Sequence, residues 1–215
     1  MIKSYNELPV GKYLEIRELA KKEMDDIEMQ VAVISILADM SEDEVLDLPI
    51  EKYSEYVRDS NFLLSAPQQK AECPSSLVIG GKKYKMMKNM KEFKTSQYID
   101  YQTYIKMDDP DGKMAEILSI FVIPEGKKYA EDYDIAEVIE DIREYLPITV
   151  AFNLCFFFRQ KQAKYIYRML IYLGLMMKIW KRKAMTEEQR RMLAEAETQM
   201  SQLRALYGNG DGFIV

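Results

Sequence analysis

Apolar positions recur along this chain at helical spacing, and they do so twice in the same order. Leu8-Pro9-Val10-Gly11-Lys12-Tyr13-Leu14 opens one series, and Phe93-Lys94-Thr95-Ser96-Gln97-Tyr98-Ile99 opens another about 85 residues later. Each opening is followed by an apolar segment, Val33-Ile34-Ser35-Ile36-Leu37 and then Ile117-Leu118-Ser119-Ile120-Phe121. Each series closes on a third match, Leu48-Pro49-Ile50-Glu51-Lys52-Tyr53 against Tyr133-Asp134-Ile135-Ala136-Glu137-Val138. Self-similarity at a fixed spacing points to one helical unit used twice.

The spacing predicts four short helices in the first unit. One covers about residues 9 to 22, with Tyr13, Ile16, Leu19 and Ala20 sharing a face. A second, over about 26 to 39, carries Ile27, Val31, Ile34 and Leu37 on one stripe. Ser41-Glu42-Asp43-Glu44 is a capping box that starts a third, ending near Leu48. Pro49 at the first helical position opens a fourth, whose Ile50, Tyr53, Tyr56 and Val57 are expected to face the core. The second unit repeats the plan over residues 94 to 106, 112 to 122 and 134 to 145. Asp108-Asp109-Pro110-Asp111-Gly112 and Glu131-Asp132-Tyr133-Asp134 read as turns and caps, since neither has the ordered ligands of a calcium loop or a partner for acid–base work.

Between the units, prolines at 67 and 74 break helix. Leu77 to Met86 then alternates about Gly80-Gly81, the signal of a β-hairpin with positive φ at both glycines. Only residues 76 to 87 read as strand. From Pro147 the chain reads as helix almost to Tyr207, with a break near Ala184-Met185-Thr186 and a capping box at Thr186-Glu187-Glu188-Gln189. Leu193, Ala196, Met200, Leu203 and Tyr207 are spaced as a short coiled-coil seam or as an amphipathic helix folded back on its own domain. Gly208-Asn209-Gly210-Asp211-Gly212 then tethers an apolar tip, Phe213-Ile214-Val215, which reads as a docking peptide. The expected fold is mainly α: two tandem helical repeat units joined by a small β-hairpin and followed by long C-terminal helices. The expected divisions are 1–65, 66–90, 91–183 and 184–215.

Composition narrows the chemistry. Among 215 residues there is no histidine, so Ser-His-Asp and Cys-His arrangements and histidine metal cages are excluded. Two cysteines, Cys73 and Cys155, cannot close a four-ligand zinc site, and so few point away from dependence on disulfides. Cys155 is expected to be a small buried apolar group. A catalytic set built from Asp, Glu, Lys or Tyr remains chemically allowed, but no arrangement here suggests one. No catalytic residue, metal or cofactor is therefore assigned. Met1 to Glu7 has no apolar core of a signal peptide. In the apolar region after Ile148, Arg159, Lys161, Lys164, Arg168 and Lys178 leave no uncharged stretch near the ~20 residues of a membrane span.

Charge is unevenly placed. Residues 1 to 60 hold 7 Lys and Arg against 15 Asp and Glu, whereas residues 159 to 183 hold 8 basic residues and no acid. Arg159, Lys161, Lys164, Arg168, Lys178, Lys181, Arg182 and Lys183 form a basic, aromatic-rich candidate surface for nucleic acid. The net charge of −5 disfavours general nucleic-acid binding. The same helix is equally suited to an acidic surface within the chain or on a neighbouring copy.

The Leu8-x-Val10-Gly11-x-Tyr13 opening, Ile34-Ser35-Ile36-Leu37, Val78-Ile79-Gly80-Gly81-Lys82-Lys83-Tyr84 and Thr95-Ser96-Gln97-Tyr98-Ile99-Asp100 resemble the tail assembly chaperone-like and virion-associated proteins encoded in tail gene clusters of Bacteroides-type tailed phages. The resemblance covers roughly residues 8 to 175 and leaves out the basic helix and the Met/Ala-rich C-terminal helix. It implies a non-enzymatic assembly or virion structural protein, a ring or lumen component in the second case. The implied partners are tape-measure or tail and neck components and further copies of the chain. The implied place is the host bacterial cytoplasm during assembly, or the virion. Its motifs mark core and turns, so no functional residue is carried over. The expected partner-binding residues are Leu193, Ala196, Met200, Leu203, Tyr207, Phe213, Ile214 and Val215, and the alternative is a nucleic-acid-associated protein using the basic surface.

Overall fold

A computed structural model describes residues 1–67, 70, 72–89 and 92–162, with isolated positions between 172 and 201. The chain divides into two compact units, Met1–Cys155 and Phe156–Val215. The first is mainly helical with a small antiparallel sheet. Its helices are α1 (Val10–Leu19), α2 (Asp26–Ala38), α3 (Glu42–Leu46), α4 (Ile50–Ser60), α5 (Thr95–Ile105), α6 (Met114–Ser119) and α7 (Ile135–Tyr145). Its strands are β1 (Ser76–Ile79), β2 (Lys82–Met86) and β3 (Val122–Pro124). A further helix, α8, begins at 148 and is described to 162.

The two copies of the sequence pattern fall on equivalent elements. α1 and α5 begin at Val10 and Thr95, and α4 and α7 begin at Ile50 and Ile135, so both pairs keep the 85-residue offset of their sequences. α2 packs against α1 and α4, while α6 packs against α5 and α7. The middle helix is thus central in each copy. It carries most burial: Val31, Ala32, Ile34 and Leu37 on α2, and Met114, Ala115, Leu118 and Ser119 on α6.

Helix starts follow local chemistry. Asp25 and Ser41 accept from backbone N–H groups of α2 and α3, and Glu28 and Glu44 reach back to close both capping boxes. Asp134 caps α7 by accepting from the Ala136 N–H at 2.9 Å. Pro49 lies one residue earlier than expected, at the cap, where its carbonyl accepts from the Tyr53 N–H. α1 ends at Leu19, short of the expected 22, where bonds from Lys21 and Lys22 tighten the chain into a turn.

The second middle helix also differs from expectation. It stops at Ser119, and Val122–Pro124 forms a third strand on β2, with Tyr84 opposite Pro124 and Met86 opposite Val122. The cause is local: Val122 and Ile123 are β-branched, and a residue before proline is driven into extended backbone. The sheet order β1-β2-β3 buries Ile79, Tyr84 and Met86 on one face and leaves Lys83 and Lys85 exposed on the other. Both β1 and β3 contact α7.

Gly80 and Gly81 have φ of +55° and +78°, as the hairpin required. Their surroundings differ. A Cβ on Gly80 would lie 2.6 Å from the Tyr145 ring, whereas one on Gly81 meets open space. Gly81→Ala should therefore cost only the left-handed backbone, about 1–2 kcal/mol. Gly80→Ala should cost more, and Tyr145→Ala in the same chain should recover the excess. Chemical denaturation of the three variants checks this, and equal losses at the two glycines would contradict it.

The two copies join head to tail. α1, the first helix of copy one, packs on α7, the last helix of copy two. The Val10 N–H donates to Leu146 O at 3.0 Å and the Ile148 N–H donates to Leu8 O at 2.8 Å, closing an antiparallel bridge between Pro9 and Pro147. Gly11 lets the helices approach, because a Cβ there would sit 3.0 Å from the Arg143 carbonyl oxygen.

Candidate functional site

A groove of about 960 Å³ runs along α1 and α7. Pro9, Leu14, Leu19 and Ile36 supply apolar wall, and the remaining lining is charged with both signs. Arg17 grips Asp109 through two nitrogens at 2.8 and 2.6 Å, and Lys21 donates to the same carboxylate at 2.8 Å. The Gly112 N–H adds a fourth bond to it at 3.0 Å. Arg17 foremost, then Lys21 and the Gly112 amide, hold the Asp109 carboxyl well below the usual carboxylate range. Two of the lining cations are tied to Glu116, 92% buried, which accepts from Arg143 at 3.1 Å and Lys113 at 3.2 Å. The aspartate turn expected from the sequence thus also clamps α1 to the second copy.

A second polar cluster lies under the hairpin. Asp141 of α7, with a side chain 12% exposed, accepts from Lys82 Nζ at 2.7 and 3.1 Å and from the buried Tyr84 hydroxyl. Burial first, and the Asp141 carboxylate second, raise the Tyr84 phenol above its ordinary value. Asp109, Glu116 and Asp141 each accept from cationic or hydroxyl donors, while Glu116 Oε2 and Arg143 Nε are buried without a hydrogen-bond partner among the described residues. Among the described residues, no group of three His, Cys, Asp or Glu side chains is placed to hold a metal ion.

The exposed apolar side chains are the second feature. Ile50, expected in the core, is 75% exposed, and Ile27, on the stripe with buried Val31, Ile34 and Leu37, is 69% exposed. Their neighbours Tyr53, Tyr56 and Val57 do pack on Val31, Ile34 and Val45. The Tyr53 hydroxyl donates to Gln30 at 2.7 Å, one turn beyond Ile50 and Ile27 respectively. At the other end Ile2 bonds Leu37 and Lys3 pairs with Asp59. α2 and α4 therefore run in the same direction, and Ile27 and Ile50 share one end. Leu46, on α3 packed against α2, is exposed as well. The first turns of these three helices carry exposed acid: Asp26 and Glu28 on α2, Glu42, Asp43 and Glu44 on α3, and Glu51 on α4. On the second copy Tyr98 and Ile99 of α5 are exposed.

Of the basic residues singled out in the sequence, Arg159 and Lys161 lie exposed on α8, with Lys161 Nζ 5.3 Å from the centre of the Phe157 ring. Lys164, Arg168, Lys178, Lys181, Arg182 and Lys183 lie outside the described residues, as do Leu193, Ala196, Met200, Leu203, Tyr207, Phe213, Ile214 and Val215. Cys155 is half-buried, not fully enclosed as expected. Arg17, Asp109, Glu116 and Asp141 had no motif to announce them. One signal existed, since Arg17 and Lys21 at i and i+4 put two cations on one helix face, which calls for an acid opposite. Among the described residues no helix is long and apolar enough to cross a membrane. Comparison with protein-family models, with curated proteins and with solved structures finds no match.

Proposed function

We propose that this protein is a non-enzymatic phage assembly or virion structural protein that acts through protein–protein contacts. The observation that carries the reading is the exposure of Ile27, Leu46 and Ile50 on packed helices whose first turns carry exposed acid. Apolar side chains surrounded by a polar rim are the usual anatomy of a protein-binding surface. The pairing of Asp109 with Arg17 and Lys21 and of Asp141 with Lys82 and Tyr84 fits a scaffold better than a catalyst. As a chaperone the protein covers apolar stripes of a tape-measure protein until the tail tube forms, and as a virion component it packs into a ring or lumen. Mass spectrometry of purified particles separates the two, because a chaperone is lost from the particle and a structural protein stays. Absence from particles, together with no binding to any tail, neck or tape-measure protein in infected cells, would contradict both.

A further inference from the structure

Charge in this chain is segregated into two stretches of opposite sign. Residues 23 to 51, which take in α2 and α3 and reach the first turn of α4, hold ten Asp and Glu and no Lys or Arg. Among the described residues Asp39 is the one acid of the ten that pairs with a cation, Lys12 at 2.6 Å. The same stretch carries the uncovered apolar side chains. Ile27 stands between Asp26 and Glu28, Leu46 beside Asp47, and Ile50 beside Glu51, all of them exposed. Residues 159 to 183 are the complement in both respects. They hold eight Lys and Arg and no acid, and Tyr165 to Trp180 is mostly apolar or aromatic in sequence.

We infer that the acidic surface bearing Ile27, Leu46 and Ile50 docks residues 159–183 of a second copy of this chain. The charges are nearly equal and opposite, which steers encounter and selects this segment over an acidic one. Burial of the apolar side chains on both partners supplies the affinity. Each molecule offers one face of each kind, so the contact is heterologous, closing into a ring or continuing as a filament. The inference rests on the protein-contact reading of this surface and names its partner.

The test uses full-length protein. Asp47→Lys/Glu51→Lys reverses the acidic face, and Lys161→Glu/Lys164→Glu reverses the basic segment. Asp47, Glu51 and Lys161 are exposed, so circular dichroism should match the parent. Light scattering across a concentration series should show the parent above its chain mass of 25.2 kDa and each variant at that mass. A mixture of the two variants should rise above chain mass, because each keeps the face the other lacks. Association of the parent should weaken at least tenfold between low and high salt, since screening removes the charge complementarity. A parent that stays at chain mass at every concentration overturns the inference, whatever virion proteins it binds. So do variants that both keep the parent's mass, a mixture that remains at chain mass, or association indifferent to salt. A parent at chain mass that shifts duplex DNA, and loses the shift in Lys161→Glu/Lys164→Glu, overturns it in favour of nucleic acid.

Discussion

Phe121→Ala should lower stability by about 4 kcal/mol, the upper part of the range for truncating a buried aromatic side chain. Phe121 is fully buried just beyond α6, with its ring centre 5.2 Å from Phe93 and 5.5 Å from Tyr101, the latter edge-on. Its carbonyl also accepts from the Met87 N–H at 2.8 Å, beside the point where the chain turns into β3. One side chain therefore joins the opening of the second copy, its middle helix and the sheet. For a chain of this size the loss corresponds to a fall of roughly 8–16 °C in the unfolding midpoint. Phe121→Leu keeps most of the volume and should lose less than half as much. A midpoint shift under about 3 °C for the alanine variant would show that the site collapses around the cavity or is not the joint described.

Asp141→Ala should cost about 3 kcal/mol, because it strips the partner from a buried hydroxyl as well as removing a charged acceptor. Tyr84 is 2% exposed, so its hydroxyl has no ready route to water once the carboxylate is gone. Lys82 matters less, since its side chain is 57% exposed and can be hydrated. The same cluster sets an alkaline limit. Tyr84 and Tyr129 are both raised above the ordinary phenol value, each by burial first and then by its bond to Asp141 or Asp100. Burial likewise pushes the Tyr133 phenol up to about 12. Their protonated forms are favoured by folding, so this contribution is complete below the unfolded value near pH 10 and is lost as pH rises above it. The decline should reach about 1.4 kcal/mol per pH unit for each of the two buried phenols. Denaturation at pH 9 and pH 11 should show the fall, and Tyr84→Phe should make it shallower. An unchanged slope in that variant would mean Tyr84 ionises as freely in the folded protein as in the unfolded one.

Local chemistry made much of the fold legible. The capping box at Ser41 and the Gly80-Gly81 turn each depend on residues within a few positions of one another, the 85-residue offset is read by direct comparison, and their elements fall where those signals lie. β3 was hidden because three residues carry no period, and its clue was a β-branched pair before Pro124. Ile50 was assigned to the core, and Ile27 to a stripe that is otherwise buried, because periodicity tells which residues share a face but not where the covering neighbour ends. The ties at Arg17–Asp109 and Tyr84–Asp141 cross 92 and 57 positions, beyond any local pattern. The apolar end was visible only as residues that the core fails to cover.

The central claim is that this surface recruits virion-assembly proteins, and affinity capture from phage-infected cells tests it most directly. Parent protein and an Ile27→Lys/Ile50→Lys variant are tagged, captured during assembly and compared by mass spectrometry. The parent should capture a tape-measure, tail or neck protein, and the variant, equally folded by circular dichroism, should capture at least tenfold less. Capture of no virion protein by the parent, or equal capture by both, would contradict it.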